Sequence, residues 1–446
     1  MARIAPFRGI LYNPEKIRDL SKVVAPPYDV ISPEEQERLY RKSPCNVVRL
    51  ILNRDPDCYE SVARFFQSWE EDGVFMRAEA PAVYFLRQRF RLKDGEERER
   101  EGFIALVRIE DFSAGNIRPH EKTLDAPKED RFRLMLACPA NLSPIFALYS
   151  EPKQTINRML TEHVEGTSPL IDVKEDGGGS CLLWPITDRE IILQVQRGME
   201  GQPLLIADGH HRYEAALRYR NRLRGERPGC TGREPFHYAM MYFANMQDRG
   251  LTILPTHRLV RGFRPIPFQK LDESLQRYFY LEPYAKSREG QRWFLRALKS
   301  GAKKRHLVGA SFKGDPRYLI LRLKNKRTMQ RLVKEMSPAL RELDVSTLHH
   351  LILGHILGLS PEEQLQGDVV RYSEDEEEVL RAVDKEDYQA AFLLNPPRPE
   401  EIMAVAMGGE RMPQKSTYFY PKLLTGLVIN KIDPNEEVVD DTGTRG

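Results

Sequence analysis

A strand that runs without a linker into a helix is the strongest constraint this sequence places on its own fold. Pro203–Ala207 is apolar throughout, and DGHHRYEAALRYRNRL follows at once with helical character. The turn between them is Asp208-Gly209-His210-His211-Arg212. A strand-to-helix turn places the N–H groups of the first helical turn at the end of a sheet, together with the positive end of the helix dipole. Such a turn attracts anions before any side chain is counted. Gly209 lets a ligand approach the backbone closely, and His210, His211 and Arg212 add donors for phosphate oxygens. Asp208 either caps the helix or holds a divalent metal, Mg2+, that bridges phosphates. In the plainer alternative, Asp208 is only an N-cap and the next three residues are ordinary polar ones. Against it, the dipole disfavours cationic groups at a helix start, so three such donors in succession are costly unless an anion offsets them.

Around this turn the sequence reads as an α+β (mixed α/β) protein. Tyr59–Asp72 carries Tyr59, Val62, Phe65, Phe66 and Trp69 on one helical face, and Gly73 ends it. Ala82–Leu92 alternates as a strand, Lys93-Asp94-Gly95-Glu96 turns, and a second strand returns through Phe103–Ile109. The charged flank Glu96–Glu101 reads as a solvated strand face. Asp172–Ser180 and Arg224–Pro235 have the composition of loops or insert boundaries. Tyr238–Ala244 and Leu251–Leu254 read as strands. Further on come a charged helix around Lys324–Met336, an apolar helix over Ser346–Leu357, a strand at Ala390–Leu394, a helix near Pro399–Met407 and strand-like Leu423–Ile432. At roughly 150 residues per domain, 446 residues suggest about three domains or one composite domain. The expected segments are 1–100, 101–265 with an insertion near 145–200, 266–432, and a flexible tail over 433–446.

Charge and composition narrow the function. Lys and Arg number 68 against 65 Asp and Glu, a net charge of +3, which is no surplus for displacing counterions from a polyanion. Nucleic acid is therefore not an expected partner. No apolar run approaches the ~20 residues that span a bilayer, so no membrane is expected either. The start, MARIAPFRGI, lacks an apolar signal core, and five scattered cysteines form no CxxC pair. These features fit a cytoplasmic protein with reduced thiols.

Other constellations are weaker. Arg118-Pro119-His120-Glu121-Lys122-Thr123 is a loop after a strand, where Glu121 beside His120 is a candidate general base or simply a cap for the next element. His257 and Arg258 follow Leu251–Leu254 as candidate anion contacts or as polar residues at a strand end. Pro26-Pro27-Tyr28-Asp29 is a rigid turn, and Pro413-Gln414-Lys415-Ser416-Thr417 precedes Tyr418-Phe419-Tyr420; each reads as structural when judged alone. His350 and His355 stand five residues apart and fail the spacing of a helical metal pair. Gly408-Gly409 and Gly177–Gly179 lack the strand and helix that a dinucleotide fingerprint needs.

The order of strand, Pro119-His120-Glu121, helix, strand, Asp208–Arg212 and helix resembles the ParB-like fold of the archaeal free-serine kinase. The matching pieces are Phe103–Thr123 and Pro203–Arg220, separated by a long insertion. That resemblance implies a ParB-like core with large N-terminal, inserted and C-terminal additions. It implies Glu121 as the base that takes the serine hydroxyl proton, and Asp208, Gly209, His210, His211 and Arg212 as the phosphate-binding turn; His120 is then expected to orient the acceptor. Sulfiredoxins share the fold but carry Cys where His210 stands, which excludes their chemistry. Over nearly its full length the chain also resembles a large family known only as a domain of unknown function, through APPYDVIS, PHEKT, ADGHHRY, LPTHRLV and PQKSTYFYPKLLTG.

The expectation is a phosphotransferase that moves a phosphoryl group between ADP or ATP, with Mg2+, and a small hydroxylated metabolite. Free L-serine giving O-phosphoserine is the acceptor the resemblance implies, and the reverse direction is open. Arg258, His257 and Lys415 are candidate contacts for a substrate carboxylate or phosphate. The alternatives are a phosphate-ester hydrolase built on the same turn and a nucleotide-sensing ParB-like module acting on DNA. Oligomeric state is not legible.

Overall fold

The computed structural model describes residues 2–175, 178–301, 306–385 and 387–439. It is a mixed α/β protein with two compact units, each discontinuous in sequence. The first unit takes residues 1–119, 123–252 and 421–446, and the second takes 120–122 and 253–420. The partition thus differs from the four consecutive segments expected from the sequence. The chain enters the second unit for only His120–Lys122, leaves it again, and returns to the first at Pro421. Within the expected tail, Val438 donates to the Arg233 carbonyl at 2.8 Å and Glu436 pairs with Arg77; residues 440–446 lie outside the described residues, as do 176 and 177 in the glycine-rich loop.

The first unit is built on a nine-stranded mixed sheet. Its order is Ile117–Pro119, Leu204–Asp208, Ile145–Tyr149, Tyr238–Asn245, Glu97–Arg108, Val83–Arg91, Ser180–Ile186 and Ile171–Lys174, with Ile4–Ala5 added to Glu97–Arg108. Leu204–Asp208 runs parallel to Ile117–Pro119 and antiparallel to Ile145–Tyr149. Every residue of Tyr238–Asn245 is buried, as a strand covered on both faces requires. Helices Thr155–Val164, Arg189–Met199 and His210–Glu226 share one core with this sheet, through Leu160, Val195, Tyr213 and Ala216 against Ile206 and Phe243. The helix expected at 59–72 forms as Cys58–Glu71, and its Phe66 and Trp69 join Tyr12 and Phe75 in a second core.

The charged flank 96–101 is solvated on alternate residues only. Glu97 and Glu99 are exposed, but Arg100 is fully buried, donating to the Pro421 carbonyl at 2.7 Å with its guanidinium 4.8 Å from the Phe146 ring. A strand turns every second residue inward, so a charge run on a covered strand must bury part of itself.

The second unit contains a six-stranded antiparallel sheet in the order Phe279–Ala285, Arg317–Leu323, Leu307–Phe312, Ala390–Leu393, His257–Val260 and Val370–Ser373. Helices Arg288–Gly301 and Glu376–Lys385 pack on it through Phe294, Leu298, Val379 and Val383. The charged helix expected around 324–336 is shorter, Arg327–Leu332. The apolar helix expected at 346–357 is a wide one over Thr347–Ile356, closing with an i→i+5 bond from Leu357 N to Ile352 O at 2.9 Å. In the first unit, only Asn430–Lys431 of the expected 423–432 strand pairs regularly, because Gly426 turns the chain at φ +97°. Among the described residues, no helix is long and apolar enough to cross a membrane.

Candidate functional site

In the first unit the expected strand and helix are present, and the turn between them has the expected form. Leu204–Asp208 ends where Gly209 takes φ +87° and ψ 29°, and His210–Glu226 begins with no side chain capping it. The N-cap reading of Asp208 is therefore not what the turn shows. Its carboxylate instead accepts from Arg212 Nη2 at 2.7 Å on one oxygen and from Lys422 Nζ at 2.7 Å on the other. Burial alone would raise the Asp208 pKa. The charges of Lys422, Arg212 and His210 outweigh it and hold the carboxyl well below the usual carboxylate range. Arg212 also donates to the Pro144 carbonyl, and its buried Nε has no partner among the described residues.

Gly209 is required twice over. Its backbone is left-handed, and a Cβ there would stand 2.9 Å from the Arg212 guanidinium. Gly209→Ala should therefore cost about 1–2 kcal/mol from the backbone alone and disturb the Arg212–Asp208 pair, read as a lowered urea midpoint. A midpoint equal to wild type would show that the turn tolerates a side chain.

Residues distant in sequence complete this turn. Tyr28 lies within electrostatic reach of Asp208 and Arg212; burial pushes its hydroxyl up to about 12, with Arg131 opposing from 4.1 Å over the ring. Thr425 exchanges backbone hydrogen bonds with Ala25, and its hydroxyl meets Ser143 at 2.8 Å. Helix His210–Glu226 also holds the loop that follows Lys122. His211 Nε2 accepts from Leu124 N at 3.1 Å, and Glu214 accepts from Thr123 Oγ1 at 3.0 Å. With Nε2 accepting a backbone N–H, His211 anchors this loop and its neutral ring carries the proton on Nδ1. Lys422 and Tyr28 were missed from the sequence, Tyr28 in a turn that reads as structural and Lys422 in a family phrase that assigns it no role.

The second unit gathers a different set. Glu121 Oε1 accepts the Lys415 N–H at 2.8 Å, and the Lys415 carbonyl accepts from Arg258 Nη2 at 3.1 Å. Lys415 adopts φ +54°, a left-handed conformation costing roughly 1 kcal/mol or more in a residue with a side chain. Its peptide groups are clamped by the two bonds, so this strain is spent on orienting Glu121. His120 is fully buried, its Nε2 is 2.8 Å from Thr417 Oγ1, and its carbonyl accepts from Met412 N at 2.7 Å. It positions the Glu121 loop.

For His257 and Arg258 the structure corrects only the reading as exposed polar residues. Neither is an exposed residue at a strand end, because His257–Val260 is itself a strand paired on both sides. His257 is 1% exposed and its Nδ1 accepts from Leu394 N at 3.3 Å. Arg258 is fully buried, donates also to the Thr256 carbonyl, and faces Tyr372 at 5.3 Å. Burial lowers its pKa to about 10, with Tyr372 and Glu121 opposing. Lys415 acts here through its backbone.

The residues at Asp208 do not fit a divalent metal. Both carboxylate oxygens are taken by cationic nitrogens, and among the described residues no three His, Cys, Asp or Glu side chains are grouped as ligands.

A family model described as "Protein of unknown function (DUF1015)" matches residues 4–346. It takes in APPYDVIS, PHEKT, ADGHHRY and LPTHRLV but stops before PQKSTYFYPKLLTG, so Lys415 and Lys422 lie outside the matched residues. No curated protein matches the sequence. Among solved structures, a free serine kinase in complex with AMP is 12% identical with a TM-score of 0.34, over 71% of this chain and 86% of that one. A conserved hypothetical protein from Pyrococcus furiosus is 14% identical with a TM-score of 0.33, over 72% and 92%. SbnI with C-terminal truncation from Staphylococcus aureus is 12% identical with a TM-score of 0.34, over 72% and 85%. Scores of this size carry no argument about function.

Proposed function

The chain belongs to the DUF1015 family, and for this member we propose phosphoryl transfer between a nucleotide, ADP or ATP, and a small hydroxylated metabolite. The acceptor implied by the resemblance to the free-serine kinase is free L-serine, giving O-phosphoserine. One observation carries the reading: the start of helix His210–Glu226, with Gly209 at its tip, no side-chain cap among the described residues, and an Arg212 Nε unpaired among them beside it. A phosphate needs aligned N–H donors, a favourable dipole and a guanidinium, and this turn offers all three. Asp208, kept ionised between Arg212 and Lys422, fixes both cations in place.

Phosphoryl transfer demands positioning and charge neutralisation more than covalent help. The acceptor hydroxyl attacks the terminal phosphorus of the nucleotide, the bond from that phosphorus to the bridging oxygen breaks, and AMP or ADP leaves. The resemblance assigns Glu121 as the base for the hydroxyl proton, and within the second unit the Lys415 N–H sets its orientation. Mg2+ enters as the counterion of the nucleotide phosphates and is assigned no protein ligand.

The test incubates the purified full chain with serine, Mg2+ and ADP or ATP and measures phosphoserine, and runs the reverse direction with phosphoserine and AMP. Phosphoserine should form with one donor or be consumed with AMP. If it is neither formed nor consumed, serine kinase activity is rejected.

A further inference from the structure

A cavity of about 640 Å³ lies wholly within the second unit, lined from strands His257–Val260 and Arg317–Leu323 and from the segment after Ala390–Leu393. Its size is that of a small-molecule site, and its charge is one-sided. The acids on its wall are all engaged: Glu342 by Lys326 at 3.3 Å, Glu401 by Arg398 at 2.7 Å and Asp344 by His306 at 3.2 Å. Arg258, Arg322 and Lys324, which also line it, have no carboxylate within ion-pairing distance among the described residues. Arg322 and Lys324 instead lie over the half-exposed Tyr280 ring, at 4.5 and 5.3 Å, which holds both cations at the wall. Glu121 offsets part of the Arg258 charge from a distance.

A second observation points to an occupant. Thr256 and Arg258 are 3% and 0% exposed, both line the cavity, and Thr256 Oγ1 and Arg258 Nε are unpaired among the described residues. A buried polar group left unpaired costs about 1–3 kcal/mol, so two on the wall of one cationic cavity favour a polar, negatively charged guest. We infer that this cavity binds a metabolite-sized oxyanion, a phosphate ester or a carboxylate, through Arg258, Arg322 and Thr256. The inference does not depend on phosphoryl transfer.

Isothermal titration of the full chain at low salt, with inorganic phosphate, AMP and succinate as separate probes, tests it. At least one probe should bind saturably, and Arg322→Gln should weaken that binding roughly tenfold, the scale of one charge-assisted contact. Thr256→Val should weaken it several-fold. Arg258→Gln is avoided because a fully buried guanidinium can be needed for folding, whereas Arg322 is only partly buried and circular dichroism verifies its variant. Binding by phosphate or AMP marks a phosphate ester, and binding by succinate marks a carboxylate. A component lost only with Arg212→Gln belongs to the helix start in the other unit. The inference is overturned if no probe binds saturably, or if binding survives undiminished in both Arg322→Gln and Thr256→Val.

Discussion

Lys422→Met should lower the stability of the protein by about 1.5–3 kcal/mol at pH 7, the usual worth of a hydrogen bond to a charged group, because Arg212 still pairs with Asp208 in the variant. The side chains of Lys422 and Asp208 are largely covered, 15% and 16% exposed, and stand 2.7 Å apart. Methionine keeps the length of the lysine stem, so the loss is chiefly that of the charge. The pH dependence has a definite sign. Asp208 is depressed in the folded protein, so its contribution is complete above the unfolded carboxylate pKa of about 4 and is lost as pH falls through the folded value. Without Lys422 the largest of the lowering charges is lost, so the folded pKa rises although Arg212 and His210 remain. The gap between wild type and variant should therefore be widest near neutral pH and narrow below about pH 4. Urea midpoints at pH 7 and pH 3 measure it. A loss under 1 kcal/mol at pH 7, or an equal loss at both, would remove Lys422 from this role.

Lys422 also shows what was hidden in the sequence. The turn at 208–212 was legible because strand, glycine and helix are consecutive, and local periodicity announces each. Its second cation stands 214 residues away, and no periodicity or spacing encodes a contact at that range. The phrase that contains it was visible, but it is divided between units: Pro413–Tyr420 lies in the second and Pro421–Gly426 in the first. The phrase at 118–123 is divided in the same way, with His120–Lys122 in the second unit and its neighbours in the first. Each part joins a separate cluster, Lys422 and Thr425 with Asp208 and Ala25, and Lys415 and Thr417 with Glu121 and His120. Reading each phrase as one local motif therefore assigned it one role where it has two. Arg100 and Arg258 misled for a different reason. A charged residue in a strand reads as solvated, yet both strands are paired on each side and the guanidinium groups find carbonyl oxygens indoors.

Glu121→Gln should lower turnover by about 10²–10⁴, the usual contribution of a positioned general base, while leaving nucleotide affinity within about a factor of two. The amide is the right probe because its oxygen still accepts the Lys415 N–H that orients Glu121, so the loop keeps its geometry while losing a group that binds a proton. The comparison needs kcat and a nucleotide Kd measured separately. A fall in kcat at constant Kd supports proton removal by Glu121. Full activity in the variant rejects the base assignment and leaves the phosphate-binding turn untouched, since no atom of Glu121 is invoked there. A parallel loss of nucleotide affinity and of Tm would mean that the variant disturbs the fold beyond this bond, and would withdraw the base assignment.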